Sequence, residues 1–123
     1  MKLKLYELEN CDTCKKAKQY LDIKKVAYEK IPIVDAPPTL AEIKKMLKFV
    51  ESAGETFKNL FNTSGVQYRE LKISDQIKNG LSETEALKLL SSNGKLIKRP
   101  FVLKEDLGFV GFKKEIWDNH FKK

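Results

Sequence analysis

The sequence predicts an α/β fold, one small mixed sheet with helices on both sides, and three observations point to it. An alternating segment with Leu3, Leu5 and Tyr6 opens the chain. Helix-spaced apolar residues fill its middle, and strand patterning returns at Phe101. At 123 residues the chain is expected to be one domain, long enough to bury a core without a staple.

The first strand is followed by Ala17, Tyr20 and Leu21 on one helix face, ending near Lys24 and Lys25. Val26 to Val34, with Val26, Tyr28, Ile31 and Ile33, predicts a second strand. A strand, helix and strand in so short a stretch form a βαβ unit, whose crossover makes the two strands parallel. Pro37 and Pro38 stop the second strand, and Thr39 with Glu42 has the spacing of a capping box. Leu40, Ile43, Leu47 and Val50 give the apolar face of the helix that follows, which ends before Gly54. Phe57, Leu60 and Phe61 make a shorter helical patch, and Asn62 to Gly65 a turn. Tyr68 to Asp75 predicts one short helix or turn closed by Gly80. Ser82 and Glu85 repeat the capping spacing ahead of Ala86, Leu87, Leu89 and Leu90.

Phe101 to Leu103 and Phe109 to Val110 flank a turn at Glu105 to Gly108, so they predict an antiparallel hairpin. A last helix from Lys113 to Phe121 is expected to turn Ile116, Trp117 and Phe121 inward.

Composition bounds the function less tightly. The net charge is +7, from 24 Lys and Arg against 17 Asp and Glu, including the terminal Lys122 and Lys123. Such a surface attracts acidic partners at low salt, or is simply a solvated lysine-rich face. No zinc finger, leucine zipper or stacked-aromatic motif names nucleic acid as a partner. There is no apolar run of about twenty residues and no signal-peptide profile, so a soluble cytoplasmic protein without membrane contact is expected. His120 has no second ligand of its own kind, so neither a metal site nor a bound cofactor is expected.

The chemistry gathers at Cys11-Asp12-Thr13-Cys14, where the only two cysteines sit at the start of the first helix. With two residues between them, their sulfurs fall on adjacent turns, close enough to bridge. A disulfide there closes almost no loop, so its use would be reversible chemistry rather than stability. Unpaired N–H groups at the helix start, with Lys15 and Lys16 nearby, favour a thiolate, while Asp12 opposes it. Both cysteines are expected away from the apolar helix face. Thr13 either caps the helix or donates to a sulfur. Tyr6 either flanks the thiol site or packs, and Arg69 is expected to pair with Glu70 or another local carboxylate.

The ordered set Tyr6, Asn10 to Ala17, Leu60 to Gly65, Tyr68 to Leu71, Gly94 to Pro100 and Gly111-Phe112 resembles the arsenate reductase (ArsC)-like family, which includes the Spx and MgsR redox regulators. The resemblance covers nearly the whole chain. It implies a thioredoxin/glutaredoxin-like four-stranded sheet built from residues 1–37 and 95–123, with a helical insertion over 38–94. It also implies that Cys11 attacks oxidised sulfur or arsenate, that Arg99 lies across the site from it, and that Pro100 is cis. A guanidinium there would steady a thiolate and could hold an oxyanion by a two-pronged contact.

Two departures weaken the arsenate reading. Where arsenate reductases of the family carry further arginines, this chain has Asn62, and no arginine between Leu107 and Phe112. Those enzymes also generally draw the resolving thiol from outside, whereas Cys14 could resolve Cys11 internally, a spacing more like Spx and MgsR. Several functions therefore remain open. One is a thiol-disulfide oxidoreductase, expected to be a monomer acting on a protein or small-molecule disulfide and reset by glutathione, glutaredoxin or thioredoxin. Another is an Spx-like regulator whose disulfide alters a docking surface for the RNA polymerase alpha C-terminal domain. The others are a glutaredoxin-dependent arsenate reductase and a family member that keeps the fold with little activity.

Overall fold

The computed structural model of the protein describes residues 2–121, so Lys122 and Lys123 lie outside the described residues. In order, the elements are β1 (Leu3–Glu7), α1 (Asp12–Ile23), β2 (Tyr28–Pro32), α2 (Leu40–Ser52), α3 (Val66–Glu70), α4 (Ile73–Lys78), α5 (Glu83–Ser92), β3 (Phe101–Leu103), β4 (Gly108–Val110) and α6 (Lys114–His120). Short 3-10 turns occupy Phe57–Leu60 and Gly94–Leu96. The four strands form one mixed sheet in the order β2-β1-β3-β4. β1 pairs with β2 in parallel and with β3 antiparallel, and β3 and β4 form the antiparallel hairpin.

Alternation along the strands divides the core. Leu3, Leu5, Val102 and Phe109 meet Ala17 and Leu21 of α1 and Trp117 of α6 on one face. Tyr6, Phe101 and Leu103 meet Ile43, Met46 and Val50 of α2 and Leu87 and Leu90 of α5 on the other. The capping box forms as its spacing predicts: the Thr39 hydroxyl accepts from the Glu42 N–H at 3.1 Å and the Glu42 carboxylate from the Thr39 N–H at 3.0 Å. Glu42 also accepts from the Tyr6 hydroxyl at 2.8 Å and from Lys4 at 3.0 Å, so the start of α2 is tied to β1. This is where Tyr6 spends its hydroxyl. It packs against Phe101 beneath α2, and the packing account of this residue is the correct one.

Four details differ from the sequence expectation. β2 covers only Tyr28–Pro32 because its partner ends at Glu7, whose carbonyl takes the Ile33 N–H at 2.8 Å. The single short element expected after Tyr68 is two helices, α3 and α4, hinged at Lys72, whose φ is 51°. Ile116 faces outward and is 44% exposed, while its neighbour Trp117 takes the buried position. Arg69 is exposed on α3 and makes no ion pair with Glu70; the ion pairs among the described residues are Lys4–Glu42, Lys18–Glu7 and Lys114–Asp118.

The segment between α2 and β3 folds back on itself by backbone pairing just ahead of β3. Asn62 N–H donates to Leu96 O and Lys98 N–H to Leu60 O, both at 2.8 Å, around an isolated bridge between Phe61 and Ile97. These bonds set Asn62 beside Lys98 and Arg99, at the end of the sheet where α1 begins.

Candidate functional site

β1 leads through Leu8 and Glu9 to Asn10, which adopts a φ of 65°, a left-handed conformation that asparagine tolerates better than most residues. That turn delivers Cys11 to the N-cap of α1. Its sulfur accepts the Cys14 N–H at 3.3 Å, so the thiol occupies the place of a capping hydroxyl and a helix-terminal donor faces it. Cys11 is partly exposed.

Cys14 lies one turn on and points inward with Ala17 and Leu21, fully buried. The expectation that both cysteines avoid the buried face therefore holds for Cys11 and fails for Cys14, because the third helical position turns toward the sheet. Burial holds the Cys14 thiol well above its ordinary range, and the hydrogen bond to Cys11 pushes the same way. The backbone of Leu8 and the charge of Arg99 oppose them.

Two clefts border Cys11. One, about 390 Å3, is lined by Thr13, Asn62, Ser64, Lys98, Arg99 and Lys113 among others. Its described lining carries three cationic side chains and no carboxylate. The Arg99 Nε is buried without a hydrogen-bond partner among the described residues. The Arg99–Pro100 peptide bond is cis, and the buried Pro100 accepts the Gly111 N–H at 2.9 Å. The second cleft lies on the other side of Cys11, between Glu7, Glu9, Lys15, Lys18 and Lys30. There the Lys18 ammonium meets Glu7 at 2.6 Å, and that hydrogen bond raises its pKa, so its charge is already paired.

The structure thus brings Cys11, Cys14, Thr13, Arg99 and Pro100 to one end of the sheet. It adds Lys98 and Lys113, which sequence reasoning had not singled out as site residues. Lys98 had a signal, since it directly precedes Arg99. Lys113 had none, because only the passage from β4 into α6 brings it back over the cleft.

This arrangement of a helix-capping cysteine, a buried partner thiol and an arginine before a cis proline coincides with a match of residues 6–120 to the ArsC family model. The chain belongs to the ArsC family. Among ArsC family relatives, YusI of Bacillus subtilis (strain 168) is 37% identical over 121 residues, covering 98% of this chain and 99% of that protein. The global transcriptional regulator Spx of Streptococcus agalactiae serotype V is 28% identical over 112 residues, covering 90% of this chain and 77% of that one. The crystal structure of an ArsC family related protein from Bacteroides fragilis superposes with a TM-score of 0.87 at 41% identity, covering 97% of each chain. The ArsC fold here is the thioredoxin-like mixed sheet. No helix among the described residues is long and apolar enough to cross a membrane, and no group of three or more His, Cys, Asp or Glu among them could hold a metal ion.

Proposed function

We propose that this ArsC family chain is a thiol-disulfide oxidoreductase in which Cys11 is the nucleophile and Cys14 the resolving thiol. The observation that carries the reading is the pairing of an accessible sulfur at a helix N-cap with a buried thiol directly behind it. The Cys11 thiolate attacks a substrate disulfide, forming a mixed disulfide and expelling one substrate thiolate. Cys14 then loses its proton to solvent and attacks the Cys11 sulfur, releasing the second substrate thiolate and leaving a Cys11–Cys14 disulfide. The substrate has gained two electrons and the cysteine pair has lost them. Two equivalents of an external thiol, from glutathione, glutaredoxin or thioredoxin, return them and are oxidised to a disulfide.

Other residues have supporting parts in this scheme. Arg99 steadies the departing or attacking thiolate, Thr13 offers a hydroxyl at the cleft, and Pro100 holds Gly111 against its wall. The protein works as a monomer in the reducing cytoplasm. Keeping Cys14 buried and protonated protects the pair from wasteful oxidation until Cys11 is engaged.

The test is trapping. Cys14→Ser should accumulate a mixed disulfide on Cys11 with a small disulfide, detectable by mass spectrometry. Cys11→Ser should accumulate none. A Cys14→Ser protein that reacts no faster than free cysteine would refute the assignment.

A second reading is favoured by the likeness to Spx: the same disulfide would alter a surface that docks on the RNA polymerase alpha C-terminal domain. Capture of that domain in only one redox state would favour it over enzymatic turnover. Arsenate reduction is the weakest reading, because Asn62 stands where a second arginine would grip the oxyanion, and Lys98 and Lys113 are point charges rather than two-pronged donors.

A further inference from the structure

The cationic cleft at Cys11 does not end there. Lys98, Val110, Gly111 and Lys113 also line an adjoining groove of about 320 Å3 that runs along β4 between α2 and α6. Its walls include Phe49, Phe109 and Trp117, together with Ile116, the side chain that the sequence would have buried and the structure leaves 44% exposed.

β4 is the edge of the sheet. Gly111 N–H donates to Pro100 O and Lys104 N–H to Leu107 O, so Val102 and Phe109 form the hydrogen-bonded pair between them. The alternation then turns the backbone N–H and C=O groups of Gly108 and Val110 away from β3, and both residues line the groove. An apolar trough beside two outward backbone positions is the template for strand addition. The two ends of β4 differ in charge, and Glu55 also lines the groove. The end next to Cys11 carries Lys98, Arg99 and Lys113, whereas the opposite end of β4 carries Asp106 in the hairpin turn.

We infer that the groove along β4 is the docking site for an extended segment of a substrate protein, which adds to β4 as a fifth strand and presents its disulfide to Cys11. The segment carries an acidic residue beside its cysteine, an apolar side chain for the Ile116–Trp117 trough, and a basic residue toward Asp106. This inference rests on the reading of Cys11 as the attacking thiol. The chemistry is the exchange already written: the Cys11 thiolate takes one sulfur of the disulfide and the other leaves as a thiolate.

The experiment uses the full chain with Cys14→Ser and follows single-turnover release of thiopyridone. The probe is a synthetic peptide whose cysteine is a thiopyridyl disulfide and which carries the acidic, apolar and basic residues in that order. The neutral small compound 2,2′-dithiodipyridine is measured alongside and reports whether Cys11 is a nucleophile at all. If it fails to react faster than with free cysteine, the oxidoreductase reading falls; if it reacts, the peptide series judges the groove. Exchanging the acidic residue for lysine, or the apolar one for serine, should each slow the peptide about tenfold relative to the small disulfide, the size of a single lost contact. N-methylation of alternate peptide bonds should slow it in one of the two frames only, because just one edge of the segment faces Gly108 and Val110. Ile116→Glu should shrink the advantage of the apolar peptide over its serine analogue; because the N-methyl series uses unaltered surface residues, it decides the matter if that variant fails to fold. Equal rates across the peptides, or both N-methyl frames matching the parent, would overturn the inference. An octanoyl-cysteamine thiopyridyl disulfide reacting as fast as the peptide would also overturn it, since the groove would then hold a hydrocarbon chain.

Discussion

The Cys14 backbone N–H points at the Cys11 sulfur from 3.3 Å, while the Cys14 thiol itself is buried behind it. One residue thus supplies both the donor that faces the accessible sulfur and the second thiol of the pair. Alkylation at about pH 7 should modify Cys11 alone in the folded protein and both cysteines after denaturation, because the buried thiol stays protonated there. Peptide mass spectrometry measures this, and equal labelling of Cys14 in the native state would reverse the assigned roles.

Arg99 has a buried Nε with no partner among the described residues and lies in the cationic cleft. Arg99→Ala should slow the reaction of Cys11 with a small disulfide about tenfold, the value of one charge-assisted hydrogen bond. Arg99→Lys should recover only part of that rate. A thermal melt of each variant separates loss of the contact from loss of the fold.

Arsenate turnover with glutathione and glutaredoxin should be weak or absent. Asn62→Arg should raise it by restoring a two-pronged donor to the same cleft. Efficient Cys11-dependent turnover by the unaltered chain in a steady-state assay would make arsenate the substrate.

Glu42 joins Thr39, Tyr6 and Lys4. Burial raises its pKa, but the bonds from Thr39, Lys4 and Tyr6 outweigh it, and the net shift is downward. A carboxylate with a depressed folded pKa contributes stability that is fully present above its unfolded value, about 4.3, and is lost as the pH falls through the folded one. Chemical denaturation below about pH 5 should therefore show a loss of stability that Glu42→Gln lacks. At neutral pH the same substitution should cost about 1–3 kcal/mol, since the charged partner of Lys4 and of the Tyr6 hydroxyl is gone.

A methyl group at Gly94 would collide with the Ile33 carbonyl oxygen. The obstacle is backbone, so Gly94→Ala should destabilise the protein by about 3 kcal/mol or more, measured by urea unfolding. Gly80→Ala offers a contrast: nothing lies within 4 Å of it, and only its φ of 94° opposes a side chain.

Much of this protein is local, and local features are legible in sequence. The capping pair Thr39 and Glu42, the alternation that sends Leu5 to one face and Tyr6 to the other, and the Phe101 to Val110 hairpin each depend on neighbours a few residues apart. The two-residue spacing of Cys11 and Cys14 at a helix start is of the same kind, and so is the arginine before Pro100. Long-range packing decided the rest. Which cysteine is buried follows from how α1 is rotated against the sheet. Which of Ile116 and Trp117 faces inward follows from how α6 lies on Phe109. Lys98, Lys113 and Asn62 share one cleft only because the Leu60–Asn62 segment pairs with Leu96–Lys98 and β4 turns back at Gly111. Periodicity names the faces of an element, but the orientation of each face depends on contacts between residues far apart in the chain, and no sequence window contains both partners.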